Sequence, residues 1–262
     1  MKDKAMKPNK TIVCIKPVVL SASGAKVRSA DVYGFNPFDR PALEVALQLR
    51  EKRGGTITVL AMGPDPSSFV LNEAMAMGAD EGILLSDRAL AGSDTLATST
   101  ALGTAIQHLS PFDLVLFGTR SSDSDTGHVG PQTAVYLDLP LVTGVCDVET
   151  LENGLRVERR IDDFRETYEL PFPAVLTVRS GSVRPRDIGL LNMAPAFDDK
   201  ELTKWRLKDL DLSPERVGEP GSATAVISLS KVQRTRTCEF LSGSNEEQVE
   251  ALLTRLLSSG LL

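Results

Sequence analysis

From Gly118 to Pro131 the chain reads Gly-Thr-Arg-Ser-Ser-Asp-Ser-Asp-Thr-Gly-His-Val-Gly-Pro. Hydroxyls and glycines at this density suit a loop whose backbone N–H groups close on an anion, and a helix starting behind it adds the positive end of its dipole. The chemistry this pattern could do is phosphate binding. An ordinary connection has the same composition, because Ser, Asp and Gly are common turn formers, so both readings stay open. Asp123 and Asp125 are close enough for a metal or an acid/base pair. Two carboxylates aimed at a phosphate would repel it, however, which assigns them instead to loop backbone or ribose hydroxyls. His128 could donate to a phosphate or to a bound cofactor, or brace the loop. The other histidine, His108, falls at a helix end, where solvent or the dipole is its natural partner. No residue has the setting of an activated nucleophile. Neither a Gly-x-Gly-x-x-Gly fingerprint nor a Walker lysine loop is present. Any reaction should therefore belong to a bound cofactor. Cys14, Cys146 and Cys238 are too far apart for a disulfide framework or a cysteine zinc site and read as small buried hydrophobes.

The elements that must position this loop follow from periodicity. Residues 114–118 read as a strand buried on both faces, 119–131 as loop and 132–137 as a short helix. Upstream, residues 10–15 form a first strand whose exit, 16–34, is loop. Asn36-Pro37-Phe38-Asp39 then opens a helix, with Asn36 or Asp39 as cap, Ala42, Val45, Ala46 and Leu49 as its stripe and Gly54-Gly55 as its stop. A strand over 56–61 exits at Met62-Gly63-Pro64. A helix from about Ser67 carries Val70, Ala74 and Met77 and ends at Gly78. A strand over 82–85 precedes a helix capped at Ser93-Asp94, with Leu96, Gly103 and Ile106 in its packed stripe up to His108.

This alternation predicts an α/β fold, an open, mostly parallel, Rossmann-like sheet with helices on both faces, and the exits at Lys16, Met62 and Gly118 on one edge form a nucleotide-sized crevice. Residues 141–148, 155–161, 166–170 and 174–178 are strand-length, with an Asn153-Gly154 hairpin, and predict an antiparallel extension. From 180 to 220 periodicity fades. That stretch reads as an arm needing another surface, anchored by Phe197 and Trp205, or as disorder. Residues 223–229 could be one strand. Residues 246–257, with Val249, Leu252, Leu253, Leu256 and Leu257, form an amphipathic helix. The expected division is a nucleotide-binding domain over 1–180 and a partner-recognition loop with a C-terminal arm over 181–262.

Composition narrows the class. A net charge of −6 with scattered Lys and Arg argues against nucleic acid. No apolar run is long enough for membrane insertion, and the start Met1-Lys2-Asp3-Lys4 leads into no signal-peptide core, which predicts a cytoplasmic protein.

Several separated motifs resemble one family. Asn36-Pro37-Phe38-Asp39, Met62-Gly63-Pro64, Ala76-Met77-Gly78-Ala79-Asp80, Leu85-Ser86-Asp87-Arg88, Ser93-Asp94-Thr95-Leu96-Ala97-Thr98 and Asp123-x-Asp125-Thr126-x-x-Val129-Gly130-Pro131 stand in the order found in the beta subunit of electron-transfer flavoprotein. Arg184-Pro185-Arg186 is similar to the Pro-Arg step before that family's recognition loop. The resemblance spans about residues 10–200.

It implies an electron-transfer flavoprotein subunit paired with an alpha subunit that carries FAD. The beta-subunit pocket would hold AMP, or a second FAD as in the electron-bifurcating group, which the 86–98 stretch and the Asp-Thr-x-x-Val-Gly-Pro loop look more like. By motif, Cys14, Ile15, Lys16, Asn36, Met62, Gly63, Gly118, Asp123, Asp125, Thr126, Gly127, His128, Val129 and Gly130 would line the pocket, with Thr95 and Thr98 added for FAD. Leu190, with Leu191 beside it, matches the docking anchor for an acyl-CoA dehydrogenase or a quinone oxidoreductase. Lys16-Pro17-Val18-Val19-Leu20 departs from the Lys-Gln-Val-Pro-Asp usual in bifurcating members. Arg160 stands where the family has an acidic residue, and Pro195-Ala196-Phe197-Asp198-Asp199 replaces a lysine-rich segment. From the residues themselves, a stand-alone nucleotide-binding or sensing protein is the rival, and an adenylate hydrolase or ligase a remote third.

Overall fold

A computed structural model describes residues 9–20, 32–199, 202–228 and 238–262. In chain order the elements are β1 (Asn9–Ile15), β2 (Pro17–Leu20), β3 (Val32–Phe35), α1 (Arg40–Arg53), β4 (Gly55–Met62), α2 (Ser68–Met77), β5 (Glu81–Leu85), α3 (Thr95–His108), β6 (Leu114–Gly118) and α4 (Val129–Leu137). Then follow β7 (Leu141–Leu151), β8 (Gly154–Ile161), β9 (Phe164–Pro171), β10 (Ala174–Val178), α5 (Leu190–Ala194), β11 (Thr203–Trp205), α6 (Gly218–Gly221) and α7 (Asn245–Ser258).

The first strand lies inside the sheet because its side chains are apolar on both faces. Ile12 and Cys14 point into a core shared with Leu60, Ile106 and Val115, while Val13 and Ile15 point into a second core with Leu43, Leu47 and Leu116. This period of two places α1 and α2 over one face and α3 and α4 over the other. The strand order is β11-β5-β4-β1-β6-β10-β7-β8-β9, with Val13 opposite both Val59 and Leu116. The α/β class with a mostly parallel sheet is thus as expected, and β7, β8 and β9 are the antiparallel extension. Arg156 of β8 bridges Glu149 and Glu169 on its two neighbours, both at 2.8 Å, the cross-strand pairing such a solvated ladder uses.

Several elements differ from the reading of the sequence. Residues 17–20 and 32–35 are not loop but an antiparallel pair, the residues 21–31 between them lying outside the described set. Strand β10 does not continue the antiparallel run. All five of its residues are buried, so it slots between β6 and β7 and runs parallel to both. Helix α4 begins at Val129, three residues earlier than periodicity suggests, because Gly130 packs under it where an apolar side chain was sought. In α3, Gly103 and Ile106 lie in the packed interior as expected, but Leu96 is exposed and Ala97, Ala101 and Ala105 form the buried stripe.

The anchors of the supposed arm sit on the chain's own surface: Phe197 packs on Phe69 with ring centroids 5.1 Å apart, and Trp205 meets His108 edge-on at 5.7 Å. Strand β11 pairs in parallel with β5, and Leu207, Leu210, Leu212 and Val217 are buried behind it. Residues 223–228 form no strand, and Leu229 lies outside the described residues. Of the cysteines, Cys14 is buried as expected, Cys146 half-buried and Cys238 exposed, which removes the last from the buried set.

One compact unit runs from Met1 to Ala225 and another from Val226 to Leu262. In the second, α7 opens on a reciprocal cap. Ser244 Oγ accepts from Glu247 N, and Glu247 Oε2 accepts from Ser244 N at 2.7 Å. Its apolar residues Val249, Leu252, Leu253 and Leu257 are exposed.

Candidate functional site

The polar loops gather where β1, β4 and β6 end, at the carboxyl edge of the sheet. Asn36 and Asp39 were candidates to cap α1, and neither side chain does so. They clamp neighbouring strand ends instead. Asn36 Nδ2 donates to Arg120 O at 2.9 Å while its Oδ1 accepts from Ser122 N at 3.2 Å. One amide side chain thereby takes a donor and an acceptor from the loop after β6. The Asp39 carboxylate accepts from the backbone N–H of Lys16 at 2.8 Å and from that of Gly118. Burial pushes the Asp39 carboxyl up to about 7, against the pull of those donors. A side chain on Gly118 would strike Asp39 Oδ1 and Phe38 O, so only glycine fits between this carboxylate and the strand end.

Lys16 folds over the loop. Its Nζ lies 2.7 Å from Asp123 Oδ1, 3.1 Å from Ser124 Oγ and 3.3 Å from Ser121 Oγ. Asp123 also accepts from Ser124 N at 2.7 Å. Burial raises the Asp123 carboxyl, but Lys16 and the loop donors outweigh it and hold the group below the usual range. Asp125, at φ +55°, pairs with Arg120 at 3.2 Å, and the Arg120 guanidinium stacks 4.5 Å over Phe38. These ionic contacts are largely exposed and serve shape more than stability.

Behind the loop, Gly127 adopts φ +65°, and a Cβ there would lie 2.9 Å from Thr119 O. His128 stands at the N-cap of α4 without a side-chain bond into the helix. Pro131 has no N–H, which leaves those of Val129 and Gly130 to serve the first turn. Gly130 itself faces the sheet, where a Cβ would come within 2.9 Å of Thr177 Cγ2 and 3.3 Å of Phe117 Cβ. Its role is to seat the helix.

Ser99 joins the starts of two helices, a part that reading the sequence missed. Its Oγ donates to Thr95 O at 2.6 Å and lies 3.2 Å from Val129 O and 3.3 Å from Gln132 Oε1. The half-buried Thr95 and Thr98 thus stand beside the first turn of α4. The only signal for Ser99 was a small polar residue on a stripe of alanines. Asp94 caps α3 by accepting from Ala97 N at 3.0 Å and also accepts from Thr224 N at 2.9 Å. Gly63 turns the chain after β4, with its N–H on Leu85 O and Pro17 3.6 Å from where its Cβ would be.

Of the residues suggested by motif, the edge gathers Lys16, Asn36, Gly118, Asp123, Asp125, Thr126, Gly127, His128, Val129 and Gly130, with Thr95 and Thr98 beside α4 and Met62–Gly63 at the β4 exit. The side chains of Cys14 and Ile15 point into the two cores, so only their backbone borders this edge. Burial, then the nearby Asp39 charge, pushes the Cys14 thiol up, which makes it inert. A separate cleft of about 260 Å³, between Arg50, Gly78 and Asp80 on one side and Asn192 and Pro195 on the other, contains none of these residues. Among the described residues no cluster of His, Cys, Asp and Glu could hold a metal ion.

An open, mostly parallel sheet flanked by helices, with amide-rich turns and two helix starts at its carboxyl edge, defines an α/β domain of the Rossmann-like kind. Residues 25–210 match the electron transfer flavoprotein domain, and the chain belongs to the electron transfer flavoprotein family. It is 41% identical over 223 residues to the electron transfer flavoprotein subunit beta of Thermoanaerobacterium thermosaccharolyticum, covering 85% of each chain. Similarity extends to the caffeyl-CoA reductase-Etf complex subunit CarD of Acetobacterium woodii, 35% identical with 94% of this chain and 97% of the relative covered. The FixA protein of Azotobacter vinelandii is 35% identical, with 95% and 94% covered. The role that goes with this membership is electron transfer on the beta-subunit side.

Proposed function

We propose that the carboxyl edge holds an adenine nucleotide, FAD or AMP, and that the chain pairs with an alpha subunit whose FAD exchanges electrons with a dehydrogenase of the acyl-CoA type or a quinone oxidoreductase. The observation that carries this reading is the Ser99 junction, which sets the starts of α3 and α4 side by side next to the positive-φ Gly127. The donor set fits a phosphate. Val129 and Gly130 offer N–H groups, Thr95, Thr98 and Thr126 offer hydroxyls, and the nearby carboxylates of Asp94, Asp123 and Asp125 are engaged, Asp94 by Ala97 and Thr224, Asp123 by Lys16 and Asp125 by Arg120.

When bound, a flavin supplies the one- and two-electron chemistry, while AMP supplies none. The chain's own residues bind and orient. Asn36 fixes the loop after β6, Asp39 ties the ends of β1 and β6 to the start of α1, and Lys16 offsets the Asp123 charge so that the loop tolerates an anion. His128, whose side chain makes no cap bond into its helix, would donate to the nucleotide. Leu190 and Leu191 of α5 serve as the docking pair for the dehydrogenase. Residues 1–180 would act as the nucleotide domain, with 181–262 recognising partners. Three free cysteines and no helix, among the described residues, long and apolar enough to cross a membrane support a cytoplasmic setting.

The test is to purify the chain with its alpha subunit, denature it and analyse the released nucleotides. Two FAD per heterodimer, or one FAD with one AMP, supports the assignment and tells the two cases apart. Loss of both adenine species beyond the alpha-subunit flavin would end it.

A further inference from the structure

Glu44 is a carboxylate only 4% exposed on a face of α1 that otherwise buries Ala42, Leu43, Ala46 and Leu47. It takes no part in the loop cluster. Its main partner comes from far along the chain. Arg186 donates its backbone N–H to Oε2 at 3.0 Å, Nε to the same oxygen at 2.9 Å and Nη2 to Oε1 at 3.0 Å, while Nη1 reaches Glu51 Oε1 at 2.7 Å. Gln48 adds a bond to Glu44 Oε1 at 3.0 Å. Burial pushes the Glu44 carboxyl up, yet the hydrogen bonds and charge of Arg186 hold it below the usual range. Main chain and guanidinium are therefore both fastened to one helix, a hold that an exposed ion pair does not provide.

Four residues later, α5 carries Leu190 at 85% and Leu191 at 91% exposure, and none of its residues is buried. Three residues past α5, Phe197 rests on Phe69 of α2. Two large apolar side chains are thus held out in solvent between two fixed points, on α1 before them and α2 after them. Pinning both ends lowers the conformational entropy still to be lost when a partner covers the pair.

We propose that Arg186, held by Glu44 and Glu51, is the positioning residue that presents the Leu190–Leu191 pair to an apolar pocket on an acyl-CoA dehydrogenase. The inference rests on the docking role given to that pair above. A positioning residue of this kind acts on encounter affinity and leaves the electron-transfer step itself unchanged.

The experiment uses the heterodimer with its alpha subunit and a short-chain acyl-CoA dehydrogenase reduced by butyryl-CoA. The variants are Glu44→Gln, Arg186→Gln, Arg186→Lys and the double Leu190→Ala/Leu191→Ala. In Glu44→Gln and Arg186→Gln, amide exchange across 187–194 should quicken about tenfold and KM for the heterodimer rise about tenfold, with kcat and bound nucleotide unchanged. Arg186→Lys, which keeps the charge and the main-chain bond, should recover part of both effects. Unaltered exchange overturns the proposal. So does faster exchange with unchanged KM when the double leucine variant does raise KM, because the segment would then dock without its hold. An unchanged KM for the double leucine variant overturns the docking role, and the presenting role with it, while exchange separately reports whether Arg186 pins the segment.

Discussion

At the scale of single residues, the site is built by short polar side chains that satisfy backbone groups of neighbouring strands. Asn36 is the clearest. Replacing it with Ala removes two bonds to the loop after β6, a loss of about 1–3 kcal/mol, and should strip nucleotide from the purified heterodimer without unfolding it. Wild-type nucleotide content in Asn36→Ala would show that the loop is held by other means. Asp39 makes a prediction in pH. Its folded-state pKa, about 7, lies above the ordinary 3.8, so the native state binds the proton more tightly than the unfolded chain does. Its contribution to stability is therefore fully present below about 3.8 and is lost as pH rises through about 7. Denaturant unfolding of the wild type and Asp39→Asn should show the wild type losing ground to the variant across that window, with the gap constant above it. A gap that widens in favour of the wild type as pH rises would reverse the assignment.

At the scale of elements, helix starts decide what the loop can offer, and two glycines three residues apart do different work. A valine at Gly130 would be driven into Thr177 and Phe117 and should lower stability by about 1–3 kcal/mol, moving α4 off the sheet. A valine at Gly127 meets only Thr119 O but must accept a positive φ, so its effect should fall on the loop and on the nucleotide proposed for it. Thermal melts and released-nucleotide analysis, run on both variants, separate the two roles. Equal loss of melting temperature in both would refute the distinction. The loop's composition and the resemblance both put Gly127 and Gly130 in one pocket. Their division of labour depends on which way each Cα faces, which a motif does not record.

At the scale of the whole molecule, two compact units divide the chain at Ala225 and Val226, and the second exposes the apolar face of α7. Deleting 226–262 should leave the melting of the first unit within a few degrees of the full chain, since a lone exposed helix buries little apolar surface, while association with the alpha subunit is lost. Unchanged heterodimer formation on gel filtration would remove the second unit from that interface. What the sequence by itself determined is local and periodic. Alternating apolar runs and helical stripes specified β1, β4, β5 and β6 with their intervening helices, because a strand buried on both faces can be written only in apolar residues. Separated motifs at the strand exits specified the family. Only the tertiary structure decided what depends on distant partners. Strand β10 enters between β6 and β7, β11 joins the far edge beside β5, Ser99 couples two helix starts, and Glu44 is neutralised by Arg186 from the other end of the domain. Each of these is a pairing between residues tens of positions apart, and its free energy exists only once the chain has closed the loop between them.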